Sequence, residues 1–211
     1  MLIGMQRGWD LSQEKIAGRL ERIVEQANRM VHIIDHIRMF AREAGKPDVS
    51  PIQANDVVRS AIEMLGAQFR SHGVDLVPEC ADDLPMVVAN PFSLEEVVIN
   101  LLNNARDAVE EGSGGDGGES EGRIWIRTLL QTESPGLRVS IQVQDNGTGI
   151  SDDVLASIFD PFFTTKDPDK GTGLGLAISK SIVEDAGGTI SARSEVGEGT
   201  TVTISLPAQN R

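Results

Sequence analysis

The sequence predicts a mixed α and β fold that is preceded by one long helix. Apolar residues recur every three or four positions across residues 16–41, which is the heptad spacing of a helix that packs against a partner helix. The same spacing returns in shorter segments between residues 52 and 110, and apolar and polar residues alternate after residue 124, as in strands with one buried face. These patterns divide the chain into a helical part, residues 1–46, and a mixed part, residues 47–211.

The composition fits an acidic globular protein and excludes several classes of partner. The chain has 211 residues, a formal net charge of -13 and a single cysteine. Clusters of Lys and Arg that bind nucleic acid or anionic membranes are missing, so neither is expected as a main partner. The lone cysteine requires no oxidising compartment, and no apolar run reaches the roughly 20 residues of a membrane span. We expect a cytoplasmic location, although a parent protein can be anchored in a membrane upstream of residue 1.

The heptad helix is expected to start at the cap residue Ser12 and to end at residues 45–47, Gly-Lys-Pro. A helix this long and one-sided is not stable alone, so it predicts a partner helix, from a missing N-terminal half or from a second subunit in a homodimer. His32 and His36 lie off its apolar seam. We favour solvated histidines here, and the alternative is that one of them accepts a phosphoryl group.

The remaining elements follow in order along the chain. The pattern predicts a helix over 52–70, strands over 74–77 and 86–88, a helix over 91–110 begun by the cap Asn90, and an acidic glycine-rich loop over 111–122. It then predicts strands over 124–129 and 137–144, a short helix over 154–158 capped by Ser151, a helix over 177–186, and strands over 189–194 and 200–206.

The helix over 91–110 carries a polar stripe. Glu96, Asn100 and Asn104 recur every four residues and so share one face, which Asp107 joins. Inward-facing amides cost free energy unless they are satisfied, and bridging of neighbouring loops is the structural alternative. In the functional interpretation, Asn100 gives its amide oxygen to Mg²⁺, Asn104 contacts phosphate, and Glu96 orients or deprotonates a water or ligand. Asp107 is unfavourable beside a triphosphate unless it pairs with Arg or Lys or holds a metal-bound water.

Two glycine loops complete a predicted nucleotide pocket. Asp145 ends a strand and can accept a hydrogen bond from the exocyclic amine of adenine, while Gly147 and Gly149 let the backbone approach the ring. The second loop, residues 171–176, precedes a helix whose N-terminal amides can bind phosphate. In an acidic chain the positive character near the phosphates must be local, and its candidates are Arg106, Lys166, Lys170 and the loop amides. We therefore predict an ATP-binding domain.

An aromatic segment lies between the two loops. Phe159, Phe162 and Phe163 precede residues 164–171, a polar stretch, and together they predict a mobile lid with apolar anchors. The alternative for the aromatic residues is a small satellite core. Thr200 is interpreted equally well as a nucleotide contact or as a strand residue after a turn.

These segments, taken together, resemble the conserved boxes of bacterial sensor histidine kinases. The resemblance covers residues from about 50 to 207 and rests on four boxes in order: N (100–105), G1 (145–150), F (159–166) and G2 (171–176), with Gly-Glu-Gly-Thr at 197–200. The joint occurrence of these boxes is highly specific. The preceding helix, with Arg-Met at 29–30 and residues 37–42, resembles the second helix of that family's dimerisation and phosphoacceptor hairpin.

The resemblance implies a two-layer α/β sandwich, in which a mixed sheet of about five strands backs three helices. It implies that ATP or ADP lies between the asparagine helix and the lid, with Mg²⁺ on Asn100. The implied catalytic residues are Glu96 and Asn100. The implied nucleotide-binding residues are Asn100, Asn104, Asp107, Asp145, Gly147, Gly149, Ile150, Phe159, Lys166, Thr172, Gly173, Leu174, Gly175, Leu176 and Thr200. Family members transfer the γ-phosphoryl group to a histidine of the first hairpin helix, and then to an aspartate of a response regulator.

The chain departs from the family pattern in two places. The acceptor histidine of the family is followed at once by Glu or Asp, whereas Ile follows both His32 and His36. We therefore expect the fragment to bind ATP and to lack its phosphoacceptor. Asp107 also stands where many sensor kinases carry a basic residue, for which Arg106 or Lys166 compensates.

Two other functional classes compete with the kinase. One is a conformational ATPase of the same superfamily, as in heat-shock chaperones, gyrase B and mismatch-repair proteins, with Glu96 as general base for hydrolysis. The other is a scaffold module with a dead nucleotide pocket. The aromatic box and the heptad helix favour the kinase. The sequence identifies neither the stimulus nor the cognate response regulator, nor whether transfer runs within one subunit or between two.

Overall fold

A computed structural model describes residue 19 and residues 49–113, 122–133, 136–166 and 171–209. The chain divides into two units, Met1–Ala44 and Gly45–Arg211, and every described residue except Arg19 belongs to the second. The predictions for the heptad helix, for His32 and His36, and for Lys170 fall on residues outside the described part of the chain.

Eleven elements follow one another among the described residues of the second unit. In chain order they are β1 (Ser50–Ile52), α1 (Ala54–Ser71), β2 (Val74–Cys80), β3 (Val87–Ala89), α2 (Pro91–Ser113), β4 (Gly122–Glu133), β5 (Gly136–Asp145), α3 (Asp152–Leu155), α4 (Gly175–Asp185), β6 (Thr189–Glu195) and β7 (Gly199–Pro207). All but β1 correspond to helices and strands that the sequence predicts. Ile52, the predicted first residue of a helix, instead ends β1, and the helix begins at Ala54.

Five of the strands form one mixed sheet in the order β2-β4-β5-β7-β6. β2 runs parallel to β4, and every other neighbouring pair in this sheet is antiparallel. β1 and β3 pair separately as a small antiparallel sheet. The mixed sheet of about five strands is therefore confirmed.

The three long helices share one apolar core with the sheet, which makes the domain a two-layer sandwich. Burial alternates along β4, so that Ile124 and Ile126 enter the core while Trp125 and Arg127 stand on the opposite face. The core draws on α1 (Val57, Val58, Ala61, Leu65, Phe69), α2 (Leu94, Val97, Val98, Leu101, Leu102, Ala105, Val109), α4 (Val183) and the strands (Ile124, Ile126, Val139, Ile141, Val143, Ile204, Leu206).

Local signals fix several boundaries as predicted. The side-chain oxygen of Asn90 accepts a hydrogen bond of 2.9 Å from the backbone N–H of Ser93, which confirms Asn90 as the cap of α2. After α4, Gly187 has φ +70, and the N–H of Gly188 bonds to the carbonyl of Val183 at 2.8 Å. This is the left-handed helix ending that glycine permits, and it confirms the predicted stop.

Other boundaries differ from the prediction. β2 continues through Pro78, because it is the edge strand of the sheet and an edge strand tolerates a residue that lacks an N–H group. α3 covers Asp152–Leu155 instead of residues 154–158. Ser151 makes no capping hydrogen bond through its side chain, and the chain tightens into turns after Leu155, with the N–H of Ser157 bonded to Val154. α2 also extends to Ser113, into the predicted loop.

No helix among the described residues is long and apolar enough to cross a bilayer.

A pair of substitutions on α1 tests the position of the core. Phe69 is fully buried, whereas 63% of Met64 on the same helix is exposed. We expect Phe69→Ala to lower the free energy of unfolding by about 3–5 kcal/mol, because it leaves a cavity, and Met64→Ala to change it by less than about 0.5 kcal/mol. Urea denaturation measures both values. Equal losses for the two variants would contradict the packing described here.

Candidate functional site

The first glycine loop is held by the carboxylate of Asp145, the last residue of β5. Asp145 is 5% exposed, and its Oδ1 accepts hydrogen bonds from the backbone N–H groups of Gly147 at 2.9 Å and Thr200 at 3.2 Å. Among the described residues, none hydrogen-bonds to Oδ2. One oxygen of this buried carboxylate therefore organises the loop, while the other remains able to accept a hydrogen bond from a ligand.

Burial sets the electrostatics of this carboxyl group. Desolvation raises the pKa of Asp145 above its ordinary value, and the hydrogen bonds from Gly147 and Thr200 oppose part of this rise. No ion pair to Asp145 is found within the described ranges. The group is thus a strong acceptor that lacks a protein cation, which is suited to a neutral donor such as an amine on an aromatic ring.

The glycines of this loop are required by contacts with the protein itself. A Cβ on Gly147 would lie 2.6 Å from both the carbonyl carbon and the oxygen of Ala108, and the N–H of Thr148 donates to that oxygen at 3.3 Å. Gly149 has φ +67, and a Cβ there would collide with the carbonyl of Glu195. The close approach found is therefore to α2 and to the end of β6, whereas the sequence suggested approach to an adenine ring.

Thr200 and Ser194 fasten the other side of the loop. Thr200 is 7% exposed, and its hydroxyl shares a hydrogen bond of 2.8 Å with the hydroxyl of Ser194. The Ser194 hydroxyl also accepts from the N–H of Ile150 at 2.7 Å and lies 2.9 Å from the carbonyl oxygen of Gly199. Thr200 thus reaches the candidate site through its backbone N–H. The sequence did not predict a role for Ser194 in this loop, because nothing in the sequence distinguishes it from other strand residues.

Asn100 joins α2 to the second glycine loop. Its Nδ2 donates to the hydroxyl of Ser179 on α4 at 2.9 Å, and its Oδ1 lies 2.5 Å from the position that a Cβ on Gly175 would take. No hydrogen bond to this oxygen is found in the described part of the chain. Glu96 lies one turn earlier on the same face and is half-buried. Its role as a base stays a prediction.

A charged cluster lies further along the polar face of α2. The Nζ atom of Lys166 lies 2.6 Å from Oδ2 of Asp107 and 3.1 Å from Oδ1 of Asn104. Arg106 binds the other oxygen of Asp107, with Nη2 at 2.7 Å and Nε at 3.2 Å. Burial alone would raise the pKa of Asp107, but the hydrogen bonds and charges of Lys166 and Arg106 outweigh it and hold the pKa below its ordinary value. Asp107 therefore pairs with the two cations that the sequence suggested.

The aromatic segment is attached to the second glycine loop through the backbone. The N–H of Phe162 donates to the carbonyl of Gly173 at 2.8 Å, and a Cβ on Gly173 would collide with the Phe162 backbone. Phe162 itself has φ +67 and a side chain that is 75% exposed, while Phe159 and Phe163 are half-buried. The sequence predicted three aromatic anchors in this segment, but the side chain of Phe162 is exposed, which leaves Phe159 and Phe163.

The remaining residues of the second loop are also close to α4. Leu174 is buried, and its N–H lies 3.4 Å from the hydroxyl of Thr172, while Leu176 packs against the core from a partly buried position. α4 begins at Gly175, two residues before the predicted start, because Gly175 forms the first turn against Asn100. Its N-terminal amides thus lie next to the polar face of α2.

α2 is the element on which the predicted groups converge. It contacts the first glycine loop through Ala108, the second through Asn100, and the aromatic segment through the bonds that Lys166 makes to Asn104 and Asp107. No group of three or more His, Cys, Asp or Glu side chains that could hold a metal exists among the described residues. A divalent ion at this site would need oxygen ligands from a bound phosphate in addition to any from Asn100.

The sequence is similar to a known family of ATPases and to bacterial sensor kinases. Residues 89–210 match the family described as histidine kinase-, DNA gyrase B-, and HSP90-like ATPase. The two-component sensor PprA of Pseudomonas aeruginosa is 34% identical over 93% of the chain, and the sensor kinase CckA of Brucella abortus is 37% identical over 88%. The chain spans 20% of the length of each of these relatives.

Solved structures of histidine kinases share the fold described above. The nucleotide-free catalytic domain of histidine kinase ThkA is 29% identical, with a TM-score of 0.62 over 76% of this chain and 96% of that domain. ThkA in complex with the response regulator TrrA gives a TM-score of 0.73 over 99% of this chain and 55% of that one, at 23% identity. At this lower identity the likeness concerns the fold alone.

The raised pKa of Asp145 predicts a distinct pH dependence of stability. The folded state holds this proton more tightly than the unfolded state, so the wild type should lose stability relative to Asp145→Asn as the pH rises from about 3.9 through the raised pKa. Above that pKa the difference should be constant. Urea denaturation of both proteins at a series of pH values gives the difference directly.

Asp153→Asn is the matched control for this experiment. Asp153 is fully exposed, and a hydrogen bond from Ser151 lowers its pKa, so any slope should have the opposite sign and be small. A wild type that gains stability over Asp145→Asn with rising pH would refute the assignment of a raised pKa to Asp145.

Proposed function

Since the chain belongs to the family of histidine kinase-, DNA gyrase B- and HSP90-like ATPases, we propose that it is the ATP-binding catalytic part of a sensor histidine kinase. Residues 47–211 would form the catalytic domain, and residues 1–46 part of the dimerisation hairpin. The reaction is transfer of the γ-phosphoryl group of MgATP to a histidine on a separate helical segment. The observation that carries this proposal is the buried carboxylate of Asp145, which has one oxygen bound by two backbone amides and no described partner on the other.

The unbound oxygen of Asp145 is the group proposed to recognise adenine. The exocyclic amine of adenine is a neutral donor, and Oδ2 of Asp145 is the acceptor proposed for it. Because Oδ1 is already bound by Gly147 and Thr200, the carboxylate is held in one orientation before a ligand arrives. A guanine would present a carbonyl oxygen at the same place, which a carboxylate repels, so the site should prefer adenine.

Phosphate binding is assigned to the other end of the site. Lys166 is the cation, and Asn104 and the backbone amides that begin α4 are the neutral donors. Lys166 is now paired with Asp107, so a phosphate group would compete with this carboxylate for the ammonium group. Arg106 also binds Asp107 and keeps that carboxylate neutralised when Lys166 turns to a phosphate.

A divalent cation fits the donor set at Asn100. The Oδ1 atom of Asn100 has no hydrogen-bond donor among the described residues, and amide and phosphate oxygens are the ligands that Mg²⁺ prefers. Bound Mg²⁺ would neutralise charge on the triphosphate. The chain's own residues would contribute positioning: Asn100, Asn104 and Lys166 align the phosphates, and Glu96 orients or deprotonates the attacking group.

The partners of the whole protein are proposed from its relatives. ThkA binds the response regulator TrrA, so we assign a receiver domain with an acceptor aspartate as the next recipient of the phosphoryl group. The heptad pattern of residues 16–41 supports a homodimer. Light scattering tests the dimer, and a strict monomer at high concentration would contradict it.

The role of Asp145 gives the sharpest binding test. We expect Asp145→Asn to weaken ADP binding by about 10- to 100-fold, because the Asn side chain keeps its oxygen on Gly147 and Thr200 and turns an N–H toward the adenine amine. Isothermal titration calorimetry measures the dissociation constants. The control is Asp56→Asn, which removes an exposed carboxylate on α1 and should leave the affinity unchanged. Equal affinity of Asp145→Asn and wild type would rule out the adenine contact.

Transfer is tested with γ-labelled MgATP and an added helical hairpin that carries a histidine followed by Glu or Asp. We expect no label on the chain alone and an acid-labile, base-stable label on the hairpin when both are mixed. Asn100→Ala should reduce this labelling at least about 100-fold, which corresponds to about 2.7 kcal/mol of transition-state stabilisation.

Two other outcomes of this experiment are informative. An acid-labile, base-stable label on the chain itself would favour His32 or His36 as an acceptor. Steady release of phosphate without transfer to any hairpin would favour the conformational ATPase over the kinase.

A further inference from the structure

We propose that Ser179 is a positioning residue that fixes the orientation of the Asn100 carboxamide and thereby presents the oxygen of Asn100 to Mg²⁺ and the phosphates. This inference rests on the proposed function and extends it to a residue outside the four boxes and outside the predicted site residues. Ser179 lies on α4, within the hydrophobic side of that helix, and is 2% exposed.

The geometry shows that α4 clamps both ends of the Asn100 amide. Its nitrogen donates to the Ser179 hydroxyl at 2.9 Å, and its oxygen lies 2.5 Å from the position that a Cβ on Gly175 would take. Gly175 and Ser179 are four residues apart on α4 and therefore lie on the same face of the helix. The Asn100 amide therefore packs against one face of α4, with its nitrogen next to Ser179 and its oxygen next to Gly175.

Burial of Ser179 makes this contact important for the Asn100 amide. The Ser179 hydroxyl accepts from Nδ2 of Asn100, and no other hydrogen bond of this hydroxyl is found in the described part of the chain. With water excluded from the 2% exposed Ser179, loss of the hydroxyl would leave this N–H without its acceptor. The Asn100 amide is therefore held with nitrogen on Ser179 and oxygen turned away from it.

The orientation matters because the two ends of an amide have opposite electrostatic character. A carboxamide oxygen binds a divalent cation, whereas the NH₂ group repels it and offers it no lone pair. Without the Ser179 hydroxyl, both orientations of Asn100 become accessible. We expect the cation to be bound more weakly, although Asn100 is still present.

The test compares ADP binding with Mg²⁺ and with EDTA. We expect Ser179→Ala to weaken ADP binding in Mg²⁺ by roughly 3- to 10-fold, the loss of one buried hydrogen bond, and to change it less than about 2-fold in EDTA. Ser181→Ala is the matched control, because Ser181 lies on the same helix with an exposed side chain. It should leave both affinities unchanged.

A double-mutant cycle separates positioning from simple structural support. If Ser179 acts through Asn100, the Mg²⁺-specific loss of Ser179→Ala disappears in an Asn100→Ala background. NMR of the Asn100 side-chain amide gives a readout that does not depend on a ligand. Its protons should be protected from solvent exchange in the wild type and exchange faster in Ser179→Ala.

Several results would overturn this inference. Equal losses in Mg²⁺ and EDTA, an unchanged Mg²⁺ affinity, or a full Ser179→Ala effect without Asn100 would each exclude a positioning role. A wild-type chain that binds no ADP would overturn the proposed function and this inference with it, whereas normal Mg²⁺-dependent binding in both proteins would overturn this inference alone.

Discussion

The hydrogen bonds from Gly147 and Thr200 to one oxygen of Asp145 hold together parts of the chain that are far apart in sequence. Asp145 ends β5, Gly147 begins the first glycine loop, and Thr200 lies at the start of β7. A buried carboxylate is costly unless it is satisfied, so the fold supplies two backbone donors to it. The loop, the turn after β6 and the open oxygen at the candidate adenine site all depend on this arrangement.

α2 carries the second constraint, because it contacts both glycine loops on one side and the core on the other. Its apolar residues fix its rotation, and that rotation sets the direction of Asn100, Asn104 and Asp107. Closely packed backbone explains why small residues recur here: Gly147 rests on Ala108, and Gly175 rests on Asn100. α2 therefore determines both the packing of the core and the placement of the polar side chains at the candidate site.

The sequence predicted those features that short-range patterns encode. The cap at Asn90 and the position of Asp145 at the end of a strand follow from local spacing. The pairing of Asp107 with Arg106 and Lys166 follows from the need to neutralise a carboxylate near phosphates, although Lys166 lies 59 positions away. Ser179 was not predicted because its partner Asn100 lies 79 positions away along the chain, and Ser194 was not predicted because its sequence position resembles that of any other strand residue. The start of α4 was also misplaced, since glycine is a poor helix former and only its contact with Asn100 explains it here.

Pro78 affects whether two copies of this domain can pair through the edges of their sheets. β2 forms one outer edge of the sheet, and an exposed edge offers unpaired backbone groups to any neighbouring strand. Pro78 removes one of those donors from β2, whereas the carboxylates of Asp75 and Glu79 on the same strand are paired with Arg123 and Arg127 of β4. Pairing of two copies along this border is thereby discouraged at Pro78, and the net charge of -13 adds repulsion between copies.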